Sequence, residues 1–554
     1  MTFVDGGLGI IPPGPGGAQG KIGVSLSGTP NTVYPVGNGN VAVATLGGGP
    51  LCEAVAAVCD VAGTTIYAVP AAIVANGSIT ATFTHVGTGA GVVSATLGPH
   101  AQVLIKCSTS GALGTAYFQF SVNGGAYGSP VASVTGTTWV YRVPGTFVVL
   151  TFSVGSYVSG NVYTLPTTGV ISTSSPPGGP DTIAAACSPV DAFQVLATIT
   201  TAGARGTAQF TYSLDNGYNV SAAITTAATY IIPGTGIVLA FTDAAYVLGD
   251  TYAGTAVPPA TDNTAIGLAI NALTASAFSF EFVHVVGAPA TSAATATLAS
   301  AVDSKMTTAE ANQRYLATLI ECPQSEADAT ISAALASFAS THGRVWIHCG
   351  DEMLVSTITG LFMKRNGAWS LCARMAGSKL SESPGKVLLG PLPNVASIVR
   401  DEAATPGLSD ARFVTLRTLI GKGGYFITDG PTMANVGSDY STVMNVRVID
   451  RAATIAAAAF TDYLNADVRI EPKTGYIDGR DAGKIDNSVT AQIRAALTGP
   501  AGTANDECSD VSAAMSRTDN LLSSPIGNAV VSIVPKGYLR SINVNIGFRN
   551  PAIG

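Results

Sequence analysis

The chain has 554 residues, more than one hydrophobic core ordinarily organises, so two to four domains are expected. Charged residues make up only 11% of it, and a net charge of −7 without any polybasic run argues against direct nucleic-acid binding. No apolar run reaches the length of a membrane span, and Met1-Thr-Phe-Val-Asp-Gly-Gly lacks the basic and apolar regions of a signal peptide, so folding in a cytoplasm is expected.

From the N-terminus, Ile11-Pro-Pro-Gly-Pro-Gly-Gly packs poorly against its own domain and reads as a reaching arm. The alternating Ile22-Gly-Val-Ser-Leu-Ser follows it, so residues 1–48 are assigned to an arm with linking strands. Ile22, Val24 and Leu26 are expected to add to a neighbouring subunit's sheet. Leu51-Cys-Glu-Ala-Val-Ala-Ala-Val-Cys then reads as a helix and Thr64-Thr-Ile-Tyr-Ala-Val as a strand, which makes residues 49–75 the first part of an α/β core.

Residues 1–260 hold only 4 Lys/Arg and 8 Asp/Glu, leaving 23 and 26 for the remainder. Within this charge-poor half lies a repeat. Gln102-Val-Leu-Ile matches Gln194-Val-Leu-Ala, Tyr141-Arg-Val-Pro-Gly-Thr matches Tyr230-Ile-Ile-Pro-Gly-Thr, and Tyr157, Gly160 and Tyr163 answer Tyr246, Gly249 and Tyr252. Each copy alternates apolar and polar residues and reaches Asn123-Gly-Gly or Asp215-Asn-Gly, suited to a hairpin with positive φ. Two β-sandwiches, 76–172 and 173–261, are expected as an insertion on an outer surface, joined by the stiff Ser174-Ser-Pro-Pro-Gly-Gly-Pro-Asp.

Residues 262–524 read as the main part of the α/β core. Thr307-x-x-Glu310 is taken as a capping box opening a helix, and Ile331, Ala334, Leu335 and Phe338 as an apolar stripe before the strand Arg344-Val-Trp-Ile-His. Further helices are expected at Leu354, Ile358, Leu361 and Phe362, and from Ser409 to Gly421 before the strand Tyr425-Phe-Ile-Thr. Val448, Ala452, Ile455, Ala459 and Tyr463, then Val489, Ile493, Ala496 and Leu497, mark two more. Residues 525–554 form a C-terminal arm whose alternating Ile542-Asn-Val-Asn-Ile-Gly-Phe is expected to exchange between subunits at Ile542, Val544, Ile546 and Phe548.

No set of residues supports catalysis. His348 and Cys349 are adjacent on a strand and point to opposite faces, so they cannot pair as base and nucleophile. The run Gly14 to Lys21 fails as a phosphate loop, with Pro15 at the first glycine and Ile22 at the Ser/Thr position, and Asp478-Gly-Arg-Asp481 lacks the ligands of a calcium loop. The five histidines and eight cysteines show no metal-ligand spacing, and the cysteines are expected as buried free thiols. No cofactor, metal or enzymatic activity is expected.

Asn445-Val-Arg-Val-Ile-Asp-Arg, Tyr463-Leu-Asn, Gly475-Tyr-Ile-Asp-Gly-Arg and Tyr538-Leu-Arg-Ser-Ile-Asn-Val-Asn-Ile-Gly-Phe together resemble the tail sheath proteins of contractile phages and contractile injection systems. Gly63-Thr-Thr-Ile-Tyr-Ala-Val-Pro adds to that resemblance, which covers residues 262–554 best. It implies an α+β multidomain chain: a split α/β sheath-type core, two inserted all-β sandwiches and terminal strand arms. It further implies subunits stacked in rings around a tail tube, linked through their arms, contracting when a baseplate opens. The implied partners are other copies of the chain, the tail tube protein, and baseplate and tail terminator proteins. The implied place is a virion tail, with assembly in the host cytoplasm. A basic face toward the tube is expected at Arg447, Lys484 and Arg494. The rival reading is another virion structural or decoration protein, of capsid, fibre or adhesin type, that uses the β repeats for surface binding.

Overall fold

The computed structural model describes residues 17–165, 172–175 and 183–540. These fall into two compact units: a large one reaching to Ser378 and including Pro384–Ser441, and a smaller one made of Lys379–Ser383 and the described residues from Thr442 onward.

The large unit is built on a six-stranded sheet in the order Tyr34–Val36, Ile66–Pro70, Gln19–Gly23, Phe282–Val285, Ala317–Cys322, Val345–Cys349. All neighbours are parallel except Tyr34–Val36, which runs antiparallel to Ile66–Pro70. Short runs rich in Val and Ile, buried on both faces, are what a covered parallel sheet requires. Six helices accompany it: α1 (Gly39–Leu46), α2 (Pro50–Ala62), α3 (Asn263–Ala275), α4 (Ser292–Ala311), α5 (Asp328–Leu335) and α6 (Ala368–Ala376). Their ends follow capping chemistry: Asn38, Asp262 and Thr291 each accept a backbone N–H in the first turn, and Gly63 closes α2 in the left-handed conformation. One face of the sheet, with Ile22, Val283, Val285, Ile320 and Ile347, shares a core with Ile270 and Leu273 of α3, Leu298 and Val302 of α4, and Ile331 of α5.

Gln19–Gly23 corrects the expectation of an N-terminal exchange strand. It is paired along both edges, to Ile66–Pro70 and to Phe282–Val285, and Ile22 is 0% exposed. Val24 accepts from Leu51 N–H at 2.9 Å and Leu26 N–H donates to Gly48 at 3.0 Å, so the backbone beyond the strand is also used within the chain. No edge is left there for a neighbour. Residues 1–16 lie outside the described residues.

Between Ser78 and Val257 the chain forms antiparallel strands with two cores. One core gathers Val103, Ile105, Phe118, Phe152 and Tyr163; the other gathers Phe83, Val195, Phe210, Leu239 and Tyr252. Asn123 and Asn216 adopt positive φ at the hairpin turns expected for them. Ser174 and Ser175, expected to open the linker, belong instead to the strand Ser172–Ser175, paired to Val162–Leu165.

Three helix expectations fail for local reasons. Thr307 and Glu310 lie near the end of α4, which Thr291 opens; Thr307 Oγ1 donates to Asp303 O four residues back instead of capping. Leu354 to Phe362 is a hairpin joining Asp351–Val355 to Phe362–Asn366, turned at Gly360 with φ of 72°, so apolar residues three to four apart did not mean a helix. Ser409 caps nothing: its N–H donates to Glu402, and the chain continues into the hairpin Leu416–Leu419 and Lys422–Ile427.

The smaller unit contains α7 (Val443–Thr461), α8 (Gly479–Leu497) and the antiparallel strands Asp510–Met515 and Ala529–Val534. Val448, Ala452 and Ala459 of α7 share a core with Ile485, Val489 and Ile493 of α8 and Val511 of the first strand.

Candidate functional site: a sheet with one sealed and one open edge

In the two-stranded sheet of the smaller unit, Ser516 N–H donates to its opposite residue Asn528, which sets the alternation of the ladder. Residues 510, 512 and 514 therefore bond toward the partner strand, while the backbone groups of Val511, Ala513 and Met515 point away. Those outward groups are taken up by α8. Asp486 accepts from Met515 N–H at 2.7 Å, Thr490 accepts from Ala513 N–H at 2.9 Å, and Arg494 donates to Val511 O at 3.1 Å. Four helical residues rise about 6.0 Å and two strand residues about 6.6–6.8 Å, so Asp486, Thr490 and Arg494, spaced by four, track alternate strand residues.

Among the described residues the opposite edge has no such cover. By the same alternation the backbone N–H and C=O groups of Ala529, Val531 and Ile533 face away from the partner strand, and among the described residues no strand pairs there. Val531 and Ile533 direct their side chains to the core, whereas Val530 is 66% and Val534 53% exposed on the other face, near a loop carrying exposed Leu522 and Ile526. A flat apolar strand with an open edge is a template for another strand. Pro535 ends it, and the chain beyond is held by Lys536, 2.8 Å from Asp506, and by Tyr538, whose hydroxyl donates to Ser381 O at 2.7 Å. Ile542, Val544, Ile546 and Phe548 lie outside the described residues.

The three residues expected to face a tube do not behave alike. Arg447 is 4% exposed and donates to Lys379 O at 3.1 Å, so its guanidinium is spent inside the unit; this corrects the expectation for it. Lys484 and Arg494 are exposed and paired with Asp481 and Asp510, but Arg494 faces the strand Asp510–Met515, where it also donates to Val511 O. The Asp481 carboxyl is held well below its usual range, first by the Arg469 guanidinium and then by Arg469 N–H and Lys484.

A second polar grouping lies within the large unit, on the sheet face away from α3 and α4. Lys21 Nζ is 2.8 Å from His284 Nδ1, His284 Nε2 is 3.0 Å from Glu321 Oε1, and Trp369 Nε1–H donates to the same oxygen at 2.9 Å. Because the ammonium must donate to Nδ1, the imidazole proton is assigned to Nε2 and points at Glu321. Burial pushes the Glu321 carboxyl up to about 7, and burial together with the Lys21 charge pulls His284 down. Nearby Glu352 is pushed up to about 8 by burial and accepts from Ser370 Oγ at 2.6 Å. Lys21, His284, Glu321, His348 and Glu352 are all buried. Sequence reading missed this grouping, although a lone Lys, His or Glu inside the apolar strings Gly20-Lys-Ile, Phe282-Val-His-Val and Leu319-Ile-Glu-Cys was the available signal. His348 is buried and held down to about 3 by desolvation, and all eight cysteines are buried free thiols.

A family model described as DUF2586, N-terminal domain, matches residues 1–431. No curated protein matches the chain in sequence. Among solved structures, the sheath tail protein of Desulfitobacterium hafniense aligns over 94% of this chain and 97% of its own, with 10% identity and a TM-score of 0.40. The sheath tail protein Lin1278 of Listeria innocua aligns over 94% and 96%, with 12% identity and a TM-score of 0.41. The sheath complex of an extracellular contractile injection system, PVC, in its contracted state, aligns over 50% and 73%, with 9% identity and a TM-score of 0.33. Scores at this level do not establish a shared fold.

Proposed function

This chain belongs to the DUF2586 family, and we propose that it is a structural subunit of a contractile tail sheath that polymerises with copies of itself. The open edge at Ala529–Val534 is the observation that carries the reading. A six-residue strand with one edge unpaired among the described residues, together with a sequence that alternates apolar and polar residues over Ile542 to Phe548, supports donation of that segment to the edge of another copy. Four or five backbone hydrogen bonds at about 0.5–1.5 kcal/mol each make a link of several kcal/mol, enough to hold neighbours together when repeated around a ring.

In this reading the subunits stack as rings around a tail tube, between a baseplate and a tail terminator, in a virion tail assembled in the host cytoplasm. The inserted β strands are sandwich domains carried by an α/β core that is split between the two sides of the insertion. Contraction is a change between two arrangements of rigid subunits that the exchanged strands keep connected. Exchange is assigned to the C-terminal segment, since Gln19–Gly23 is occupied within its own sheet. Exposed Lys484 and Arg494 remain as tube-facing residues.

Negative-stain electron microscopy of the full chain beside a version ending at residue 540 tests the proposal. Hollow striated tubes from the full chain, lost on trimming, are expected. Discrete particles from both would contradict it.

A further inference from the structure

The strand pairings between Ser78 and Val257 do not follow the order of the sequence repeat. Around Val103–Thr109 the order is Ser172–Ser175, Val162–Leu165, Val103–Thr109, Tyr117–Val122, Val131–Ala132; around Phe193–Thr201 it is Thr84–Val86, Thr251–Val257, Phe193–Thr201, Gln209–Ser213, Ile224–Thr225, with Ser78–Ile79 on the same edge of Thr251–Val257 as Thr84–Val86. The facing sheets correspond in the same way: Thr138–Arg142, Val149–Ser153, Ile183–Ala186 against Thr229–Ile232, Ile237–Phe241, Val93–Leu97. Thr84–Val86, which pairs with Thr251–Ala253 as Ser172–Ser175 pairs with Val162–Thr164, and Val93–Leu97 thus occupy the places that Ser172–Ser175 and Ile183–Ala186 occupy in the other copy. In one copy these two strands precede the rest of the domain; in the other they follow it. The two copies are circular permutants, and the boundary expected near residue 172 does not separate them.

We propose that residues 99–186 are an autonomous domain inserted whole into a second domain of the same design, mounted at one neck and steadied by a single aromatic side chain, Phe147. The neck is the turn at Gly236. Gly98 N–H donates to Gly236 O at 3.0 Å and Val190 N–H donates to Thr235 O at 3.0 Å, so the chain enters and leaves the insertion side by side. Gly236 has a φ of +78°, and a Cβ there would stand 2.8 Å from Ser188 O and 3.2 Å from Gly98 O, so only glycine admits both passages. The inserted domain brings its own core: every buried member, from Val103 to Cys187, comes from within it or its immediate exit, and the host adds only the partly buried Leu97 next to the neck. The host domain's core instead takes in Met363 from the strand Phe362–Asn366 of the large unit.

The corresponding turn of the inserted domain, Pro144-Gly-Thr-Phe147, carries phenylalanine where the host, Pro233-Gly-Thr-Gly236, carries glycine. Phe147 is fully buried yet outside that domain's core, and its ring sits at the Gly47–Gly49 turn, where a Cβ on Gly49 would stand 3.4 Å from Cζ. One repeated turn therefore serves as neck in the host and as plug in the guest. The inference is independent of the assembly reading.

Hydrogen exchange read by mass spectrometry on the full chain tests it with two variants. Phe152→Ala opens the guest core, and amides of 103–165 are expected to exchange at least tenfold faster while those of 193–257 and of the parallel sheet keep their rates. Phe147→Ala is expected to speed exchange only around 144–148 and 47–49. Deprotection spreading from Phe152→Ala into 193–257 or the parallel sheet, or loss of strand protection throughout 103–165 in Phe147→Ala, would show one cooperative block and overturn the proposal.

Discussion

Gln19–Gly23 and Ala529–Val534 are both short strands toward an end of the chain, and the molecule uses them in opposite ways. The first sits in mid-sheet with parallel partners on both edges. Among the described residues the second has a partner on one edge alone, while α8 seals the far side of that partner with Asp486, Thr490 and Arg494. Apolar content does not predict this, since Gln19-Gly-Lys-Ile-Gly is the less apolar strand and yet the buried one; what separates them is where the backbone N–H and C=O groups are spent. A strand is available to a neighbour when its own chain leaves one edge unbonded.

The contrast is broken most forcefully at Ile22. Ile22→Asp places a carboxylate in a fully buried site and is expected to cost about 4 kcal/mol or more in chemical denaturation, before any effect on assembly. A variant that unfolds normally and only fails to polymerise would restore the strand to the role of an arm.

The buried carboxylates of the large unit give a pH signature that the smaller unit's exposed pairs lack. Glu352 and Glu321 have folded pKa values raised to about 8 and about 7, above the unfolded value near 4.3, so the folded state holds protons that the unfolded state has released. Their contribution is complete below about pH 4.3 and declines by up to about 1.4 kcal/mol per pH unit for each group until its folded pKa is passed. Denaturation of Glu352→Gln between pH 5 and 9 is expected to show a shallower decline than the parent; an unchanged slope would remove Glu352 from the account.

Thr490→Val sharpens the comparison by unsealing the protected edge. It leaves Ala513 N–H without an acceptor and is expected to cost about 1–3 kcal/mol by thermal denaturation, with increased self-association in light scattering. Lys484→Ala, at an exposed pair with Asp481, is expected to leave the thermal midpoint essentially unchanged. A larger loss on thermal denaturation would mean that the pair is sheltered in the working protein.

Much of this was legible beforehand where one periodicity dominates. The stripes through Val448 and Val489 became α7 and α8, and the run from Leu51 became α2, because their apolar spacing and caps agree. Leu354 to Phe362 misled because a hairpin with a tight turn also brings apolar residues to spacings of three and four. The resemblance drawn from the C-terminal motifs pointed to self-assembly but could not separate an occupied strand from a free one. The spacing Asp486, Thr490, Arg494 that seals one edge was in view, but means nothing until the strand beside it is placed. Arg447 was misplaced for a similar reason, since a cation on a helix looks exposed until the carbonyl it serves, Lys379 O, is found.

Central to the account is strand donation between copies at Ala529–Val534, and cross-linking tests it most directly. Val531→Cys in one preparation and Val544→Cys in another, mixed before assembly and oxidised, are expected to give a disulfide-linked pair of chains, with little linkage in either alone. Efficient cross-linking within single chains of a Val531→Cys, Val544→Cys double variant, with none between mixed single variants, would mean that the segment folds back on its own edge and would contradict the account.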